Sequence, residues 1–257
     1  MKLLVYLNLG NGIISDLATT RKNATKLYLQ QFMILKEYYY PSSANQPSFW
    51  AEKMPRKMVI MLHGYGSNAQ NLLELAPFLT MPEIIFISVN ATNYWEGGFA
   101  DSYQWFSLYH QNGQRKQLTE IHTQIIEANL QLANFISGQL NKWQLDYSDL
   151  VLLGFSQGAM MANYQGFTLP KQVAGILSYS GKIILPTLLQ QEILHKPKIC
   201  LIHGKQDSVL PFDNFLEAKD ILNKLNAPYQ DLALDNLDHS IDKRGIDFGK
   251  KFLQEVF

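Results

Sequence analysis

Leu150-Val151-Leu152-Leu153-Gly154-Phe155-Ser156-Gln157-Gly158-Ala159-Met160-Met161-Ala162 joins two apolar runs through a short turn with glycine at both ends. Four consecutive apolar residues closed by a glycine predict a strand buried on both faces. The run from Ala159 is rich in good helix formers, so the five residues between are a strand-to-helix turn. In that context G-x-S-x-G has a mechanical meaning. A turn this tight leaves no room for side chains at Gly154 and Gly158. It lifts the Ser156 hydroxyl clear of the sheet, near a helix N-terminus whose unpaired N–H groups favour negative charge. Ser156 is therefore the candidate nucleophile.

Outward from this turn the pattern repeats. Residues 58–62, 84–89, 173–178, 199–203 and 229–234 are brief, mostly apolar runs, and longer helical segments lie between them. Ile121, Ile125, Ala128, Leu132, Ile136 and Leu140 recur at three- and four-residue steps, as do Phe215, Ala218, Ile221, Leu222 and Leu225; Gly249, Phe252, Leu253 and Val256 repeat the spacing at the C-terminus. Such stripes are the buried faces of helices. The alternation predicts an α/β domain with a mostly parallel, doubly wound sheet and helices on both faces. Ligands of such sheets bind beyond the carboxyl ends of the strands.

Composition narrows the function. Lys+Arg and Asp+Glu number 22 each, so the chain lacks the basic field that nucleic acid demands. No apolar run nears the roughly 20 residues of a membrane span, so no transmembrane segment is expected. The single Cys200 lies in a strand-like run and reads as a buried, inert thiol of a reducing compartment. Lys2 followed by Leu3-Leu4-Val5-Tyr6-Leu7 imitates a secretory leader only faintly, because Asn8, Asn11 and Asp16 interrupt it. A cytoplasmic protein is expected. Residues 1–50 differ in character from the rest and read as an N-terminal extension, with a single catalytic domain over residues 51–257. A start near Met33-Ile34-Leu35 is the alternative.

A serine hydroxyl needs a base, and the base needs a carboxylate to orient it. With this kind of elbow both follow the nucleophile in the chain. His195 reads as a helix C-terminal residue and His203 as a packed strand end. His239, in the polar loop Asn236-Leu237-Asp238-His239-Ser240, is the candidate base. Asp207, in the loop after the strand that ends at His203, is the candidate acid. Asp238 is its rival, but adjacent side chains in a loop rarely face one another, and Asp213 reads as the N-cap of a helix over 214–225. An oxyanion needs N–H donors. Gln157, next to the nucleophile, supplies one; Tyr65, in Leu62-His63-Gly64-Tyr65-Gly66-Ser67-Asn68, supplies the other, with His63 shaping that loop.

Four ordered motifs carry a resemblance. Leu62-His63-Gly64-Tyr65-Gly66, Gly154-Phe155-Ser156-Gln157-Gly158, His203-Gly204-x-x-Asp207-x-Val209-x-Pro211 and Asp238-His239-Ser240 resemble the α/β-hydrolase family of small carboxylesterases, acyl-protein thioesterases and lysophospholipases. The likeness covers residues 57–257. It implies the α/β-hydrolase fold, with the catalytic serine, aspartate and histidine at Ser156, Asp207 and His239 and the oxyanion donors at Tyr65 and Gln157. Many members carry Arg-x-Trp-Phe/Tyr-Asp where this chain has Tyr103-Gln104-Trp105-Phe106-Ser107. That version is similar to a bacterial carboxylesterase branch rather than to the eukaryotic depalmitoylating enzymes.

Residues 93–109 hold Tyr94, Trp95, Phe99, Tyr103, Trp105, Phe106 and Tyr109 without a clear period. Most should pack the loop onto the sheet. Trp105 is the one expected to line an acyl groove, with Leu210 as a second apolar wall. The expected activity is hydrolysis of small carboxylic esters or thioesters through an acyl-enzyme, without metal or cofactor, on a small-molecule ester or acyl substrate. Longer acyl chains, as for a lysophospholipase or acyl-protein thioesterase, are the near alternative. A non-catalytic ligand-binding protein of the same fold is the distant one, which a damaged triad or elbow would signal. A homodimer is left open.

Overall fold

Strands buried on both faces need helices on both sides, and the computed structural model, which describes residues 35–41 and 54–257, has that architecture. Its strands are β1 (Glu37–Tyr40), β2 (Lys57–Leu62), β3 (Ile84–Val89), β4 (Asn93–Tyr94), β5 (Tyr103–Gln104), β6 (Leu150–Phe155), β7 (Gly175–Tyr179), β8 (Lys198–Gly204) and β9 (Tyr229–Leu234). Among the described residues the helices are α1 (Ala69–Leu73), α2 (Ala76–Leu79), α3 (Leu118–Trp143), α4 (Gln157–Thr168), α5 (Pro186–Glu192), α6 (Asp213–Leu225) and α7 (Lys243–Val256). Seven strands form one sheet in the order β1-β3-β2-β6-β7-β8-β9, while β4 and β5 pair separately. From β3 to β9 every neighbour is parallel; β1 runs antiparallel to β3, with Glu37 opposite Val89 and Tyr40 opposite Phe86. The described residues belong to one compact unit, Ile34–Phe257.

The alternation of side chains along each strand divides the core in two. Met58, Ile60 and Leu62 of β2 face one layer with Leu150 and Leu152 of β6, and there the apolar stripe of α3 packs together with Phe215 and Leu222 of α6. Val59, Met61, Val151 and Leu153 face the other, where Leu72 of α1, Leu79 of α2 and Phe252 and Leu253 of α7 cover them. Each such large side chain stabilises the fold by roughly 1.5–3 kcal/mol through burial. Helix α4 is embedded: all residues from Gln157 to Phe167 are buried. Cys200 is buried too, and burial pushes its thiol up to about 12.

Three expectations change. The sheet begins at Glu37, inside the segment read as an extension; β1 is a short aromatic edge strand, partly exposed along its length, without the apolar run that marks inner strands. The rest of that segment, residues 1–34 and 42–50, lies outside the described residues. Asp213 is not an N-cap. Helix α6 starts one residue earlier than expected, with Phe212 at the cap, and Asp213 places its charge in the first turn. His195 lies beyond α5, because the Phe167 carbonyl at the end of α4 accepts from both Leu194 and His195 amides; the His195 ring then meets Pro170 O at 3.1 Å. No helix among the described residues is long and apolar enough to cross a membrane.

Candidate active site

The parallel strands β6, β8 and β9 end at the same edge of the sheet, and the loops that follow them carry Ser156, Asp207 and His239. Ser156 sits between β6 and α4 with φ 55° and ψ −119°, a conformation that L-residues rarely adopt. The surrounding structure imposes it. Ser156 N–H donates to Tyr179 O at 2.9 Å, and a Cβ on Gly158 would fall 1.9 Å from Leu62 O. Gly154 is equally confined, its would-be Cβ lying 2.4 Å from the Ala159 amide. The first turn of α4 therefore excludes a side chain at Gly154, and the end of β2 excludes one at Gly158.

His239 Nε2 lies 2.9 Å from Ser156 Oγ, and its Nδ1 lies 2.7 Å from Asp207 Oδ2. An ionised carboxylate only accepts, so Nδ1 carries the proton and Nε2 presents its lone pair to the serine hydroxyl. The Asp207 side chain is fully buried. Its second oxygen accepts from the amides of Val209 at 3.0 Å and Leu210 at 2.7 Å, which satisfy the charge within a closed loop. The His239 ring rests against Phe155 with centroids 4.9 Å apart.

The two segments expected to supply oxyanion donors both adjoin Ser156: Gln157 follows it in the chain, and a Cβ on Gly64 of the loop after β2 would lie 3.4 Å from Ser156 Cβ. Gln157 is the first residue of α4, where an amide has no intrahelical acceptor. In the loop after β2, which carries Tyr65, Gly66 N–H donates to Tyr103 O and Ser67 N–H to Gly64 O. His63 holds that loop from below. Its Nδ1 donates to Gly64 O at 2.7 Å while its Nε2 accepts from Ala91 N–H at 3.1 Å, and burial lowers its pKa to about 4. It is a neutral structural imidazole.

The aromatic segment is bolted to the elbow. Gln157 Oε1 accepts from Trp105 N–H at 2.8 Å and Gln157 Nε2 donates to Phe106 O at 2.7 Å. Trp105 Nε1 donates to His63 O at 2.9 Å, and the indole, expected in a groove wall, is only 2% exposed. Tyr94, Phe99 and Tyr109 are the exposed aromatics of the segment. Glu96 gathers its other end by accepting from the Tyr65 hydroxyl, from Gln104 Nε2 at 3.0 Å and from the amides of Leu108 and Tyr109, each at 3.0 Å. Burial opposes its charge, but these donors and Ser107 outweigh burial and hold the carboxyl below its usual range.

Three polar contributors escaped the sequence reading. His203 is packed at its strand end as expected, but it also donates from Nε2 to Leu210 O at 2.8 Å and stands 3.4 Å from Asp207 Oδ2. Leu210 is partly buried and held through both its amide and its carbonyl. Asp238 turns from the imidazole to Ser208. Glu96 lies 31 residues from Tyr65, too far for local pattern to pair them. Among the described residues no group of three His, Cys, Asp or Glu side chains could hold a metal ion.

In sequence and in fold the chain resembles known hydrolases. The sequence profile described as phospholipase/carboxylesterase matches residues 50–257. Acyl-protein thioesterase 1 of Schizosaccharomyces pombe is 27% identical over 215 residues, which span 77% of this chain and 90% of that protein. Esterase YpfH of Escherichia coli is 23% identical over 209 residues, 79% of this chain and 84% of its own. The crystal structure of esterase PE8 superposes with a TM-score of 0.74 at 32% identity, covering 79% of this chain and 94% of that one. A Bacillus cereus carboxylesterase shares the fold at 17% identity, with a TM-score of 0.66 over 90% of this chain and 99% of that one.

Proposed function

The chain belongs to the phospholipase/carboxylesterase family of hydrolases, and from that premise we propose a serine hydrolase that cleaves a small carboxylic ester or thioester by way of an acyl-enzyme. The observation that carries this reading is the unbroken hydrogen-bonded line from the buried Asp207 through His239 to Ser156, at 2.7 and 2.9 Å. Ser156 Oγ attacks the carbonyl carbon as His239 Nε2 takes its proton. The tetrahedral oxyanion is held by the amides of Tyr65 and Gln157, each worth about 3 kcal/mol in the transition state. His239 returns the proton to the departing alkoxide or thiolate as the bond to the acyl carbon breaks. Water, deprotonated by the same nitrogen, then attacks the acyl carbon; the bond to Ser156 Oγ breaks as His239 returns the proton to that oxygen, and the acid is freed. Asp207 stabilises the imidazolium in both halves and keeps its own charge.

Trp105 and Leu210 support the acyl site in this reading. Leu210, partly buried and three residues beyond the acid, offers an apolar wall, whereas Trp105 backs the site by fixing the oxyanion loop through His63 O. The thioesterase relative favours a second reading with longer acyl chains or thioesters as substrates. Rates on p-nitrophenyl esters of graded length separate the two: a peak at short acyl groups supports the small-ester reading, and a peak at long ones supports the second.

The test of the chemistry is labelling by a fluorophosphonate probe. Wild type labels and Ser156→Ala does not, with a loss of kcat of about 10⁴-fold or more. Equal labelling of the two proteins, or none of wild type, overturns the proposal.

A further inference from the structure

The proposed acid and base stand on different loops, one after β8 and one after β9, and Nδ1 must meet Oδ2 across the gap between them. Part of the register comes from the backbone. Gln206 N–H donates to Leu237 O at 3.0 Å, and Leu237 N–H donates to Gln206 Oε1 at 3.2 Å. Gly204 permits this proximity, since a Cβ there would lie 2.2 Å from Leu237 O. These contacts stop short of the two functional side chains.

The next link is one carboxylate oxygen. Asp238 Oδ1 accepts from Ser208 N–H at 2.8 Å, from Ser208 Oγ at 2.9 Å and from His239 N–H at 2.8 Å. The Asp238 carbonyl also accepts from Ser240 N–H at 2.7 Å, closing a tight turn around His239. We propose that Asp238 is a positioning residue, a clip that joins the residue after the acid to the backbone of the base and so fixes the His239 imidazole against Asp207. The inference rests on the serine-hydrolase reading above and adds a residue to it.

The geometry separates this role from that of the acid. Asp207 already occupies His239 Nδ1, and Asp238 reaches the histidine only through its backbone amide. Asp238 touches neither Ser156 nor the reacting atoms, so it acts through the orientation of His239. Three donors on a single oxygen make a strong acceptor the essential property. The Ser208 amide, followed by the His239 amide and the Ser208 hydroxyl, holds this carboxyl below its usual range. Asparagine presents the same kind of oxygen, whereas alanine presents none.

The test measures kcat, KM and the rate of fluorophosphonate labelling for Asp238→Ala, Asp238→Asn, Ser208→Ala and the double variant Asp238→Ala/Ser208→Ala, with thermal melts confirming that each is folded. Asp238→Ala lowers kcat about tenfold to hundredfold with KM little changed, the scale of a misplaced catalytic group. Asp238→Asn stays within about threefold of wild type, and the double variant is no worse than Asp238→Ala alone because both remove the same link. Labelling of Asp238→Ala at the wild-type rate overturns the clip. So does a loss confined to KM, or an Asp238→Asn variant as slow as alanine, which assigns the effect to charge. Failure of wild type to label is a different result, one that removes the hydrolase reading itself.

Discussion

At the scale of single residues, Ser156 combines a candidate chemical role with a conformational cost. Its φ of 55° and ψ of −119° suit glycine, and holding a residue with a Cβ there costs of order 1–3 kcal/mol. Both Ser156→Ala and Ser156→Gly delete the hydroxyl and its contact with His239, so comparing them isolates the Cβ. Glycine relieves the strain but gains chain entropy when unfolded, which returns part of the benefit. Ser156→Gly is therefore more stable than Ser156→Ala by about 1 kcal/mol in urea unfolding. In a helix interior the order is the reverse, so a more stable alanine variant means that the turn carries no strain.

At the scale of elements, Gln157 ties α4 to the β4–β5 segment, and its side chain satisfies a buried amide and a buried carbonyl at once. Gln157→Ala keeps the backbone amide proposed for the oxyanion but strands both partners. Each unsatisfied group costs about 1–3 kcal/mol, so the variant loses about 2–6 kcal/mol of stability by urea unfolding and labels more slowly than wild type. Unchanged stability would show that the segment is held without this bolt. The same contrast explains what could be read in advance. The inner strands were legible because two-sided burial writes itself as an apolar run, and motif order led to Ser156, Asp207 and His239, which the fold brings together. The Gln157–Trp105 bolt was not, because its partners are 52 residues apart and Gln104-Trp105-Phe106 has no period. Edge strand β1 was missed for a related reason: Glu37-Tyr38-Tyr39-Tyr40 has no apolar alternation to mark a buried face. Asp238 was weighed only against His239, whereas its side chain serves a loop 30 residues away.

At the scale of the whole molecule, the buried titratable groups set the pH range over which the fold is stable. Burial holds His63 neutral down to about 4, against the usual 6.5 of an imidazole, and depresses His203 as well. Below pH 6.5 the unfolded chain takes up protons that native His63 refuses, so the native state loses stability as pH falls. The loss from His63 alone reaches about 3 kcal/mol by pH 4, since each pKa unit corresponds to about 1.4 kcal/mol. On the alkaline side the sign of the shift reverses but stability again declines. Burial raises Cys200 from 9.0 to about 12 and raises Tyr179 beyond the usual phenol range, so the unfolded state ionises first as pH climbs. Urea unfolding across pH 4 to 11 should give a plateau from about 6.5 to 9 with a decline on each side. Stability that increases between pH 6.5 and 5 would contradict a dominant contribution from buried neutral His63, because that slope requires groups that bind protons more tightly in the native state than in the unfolded one.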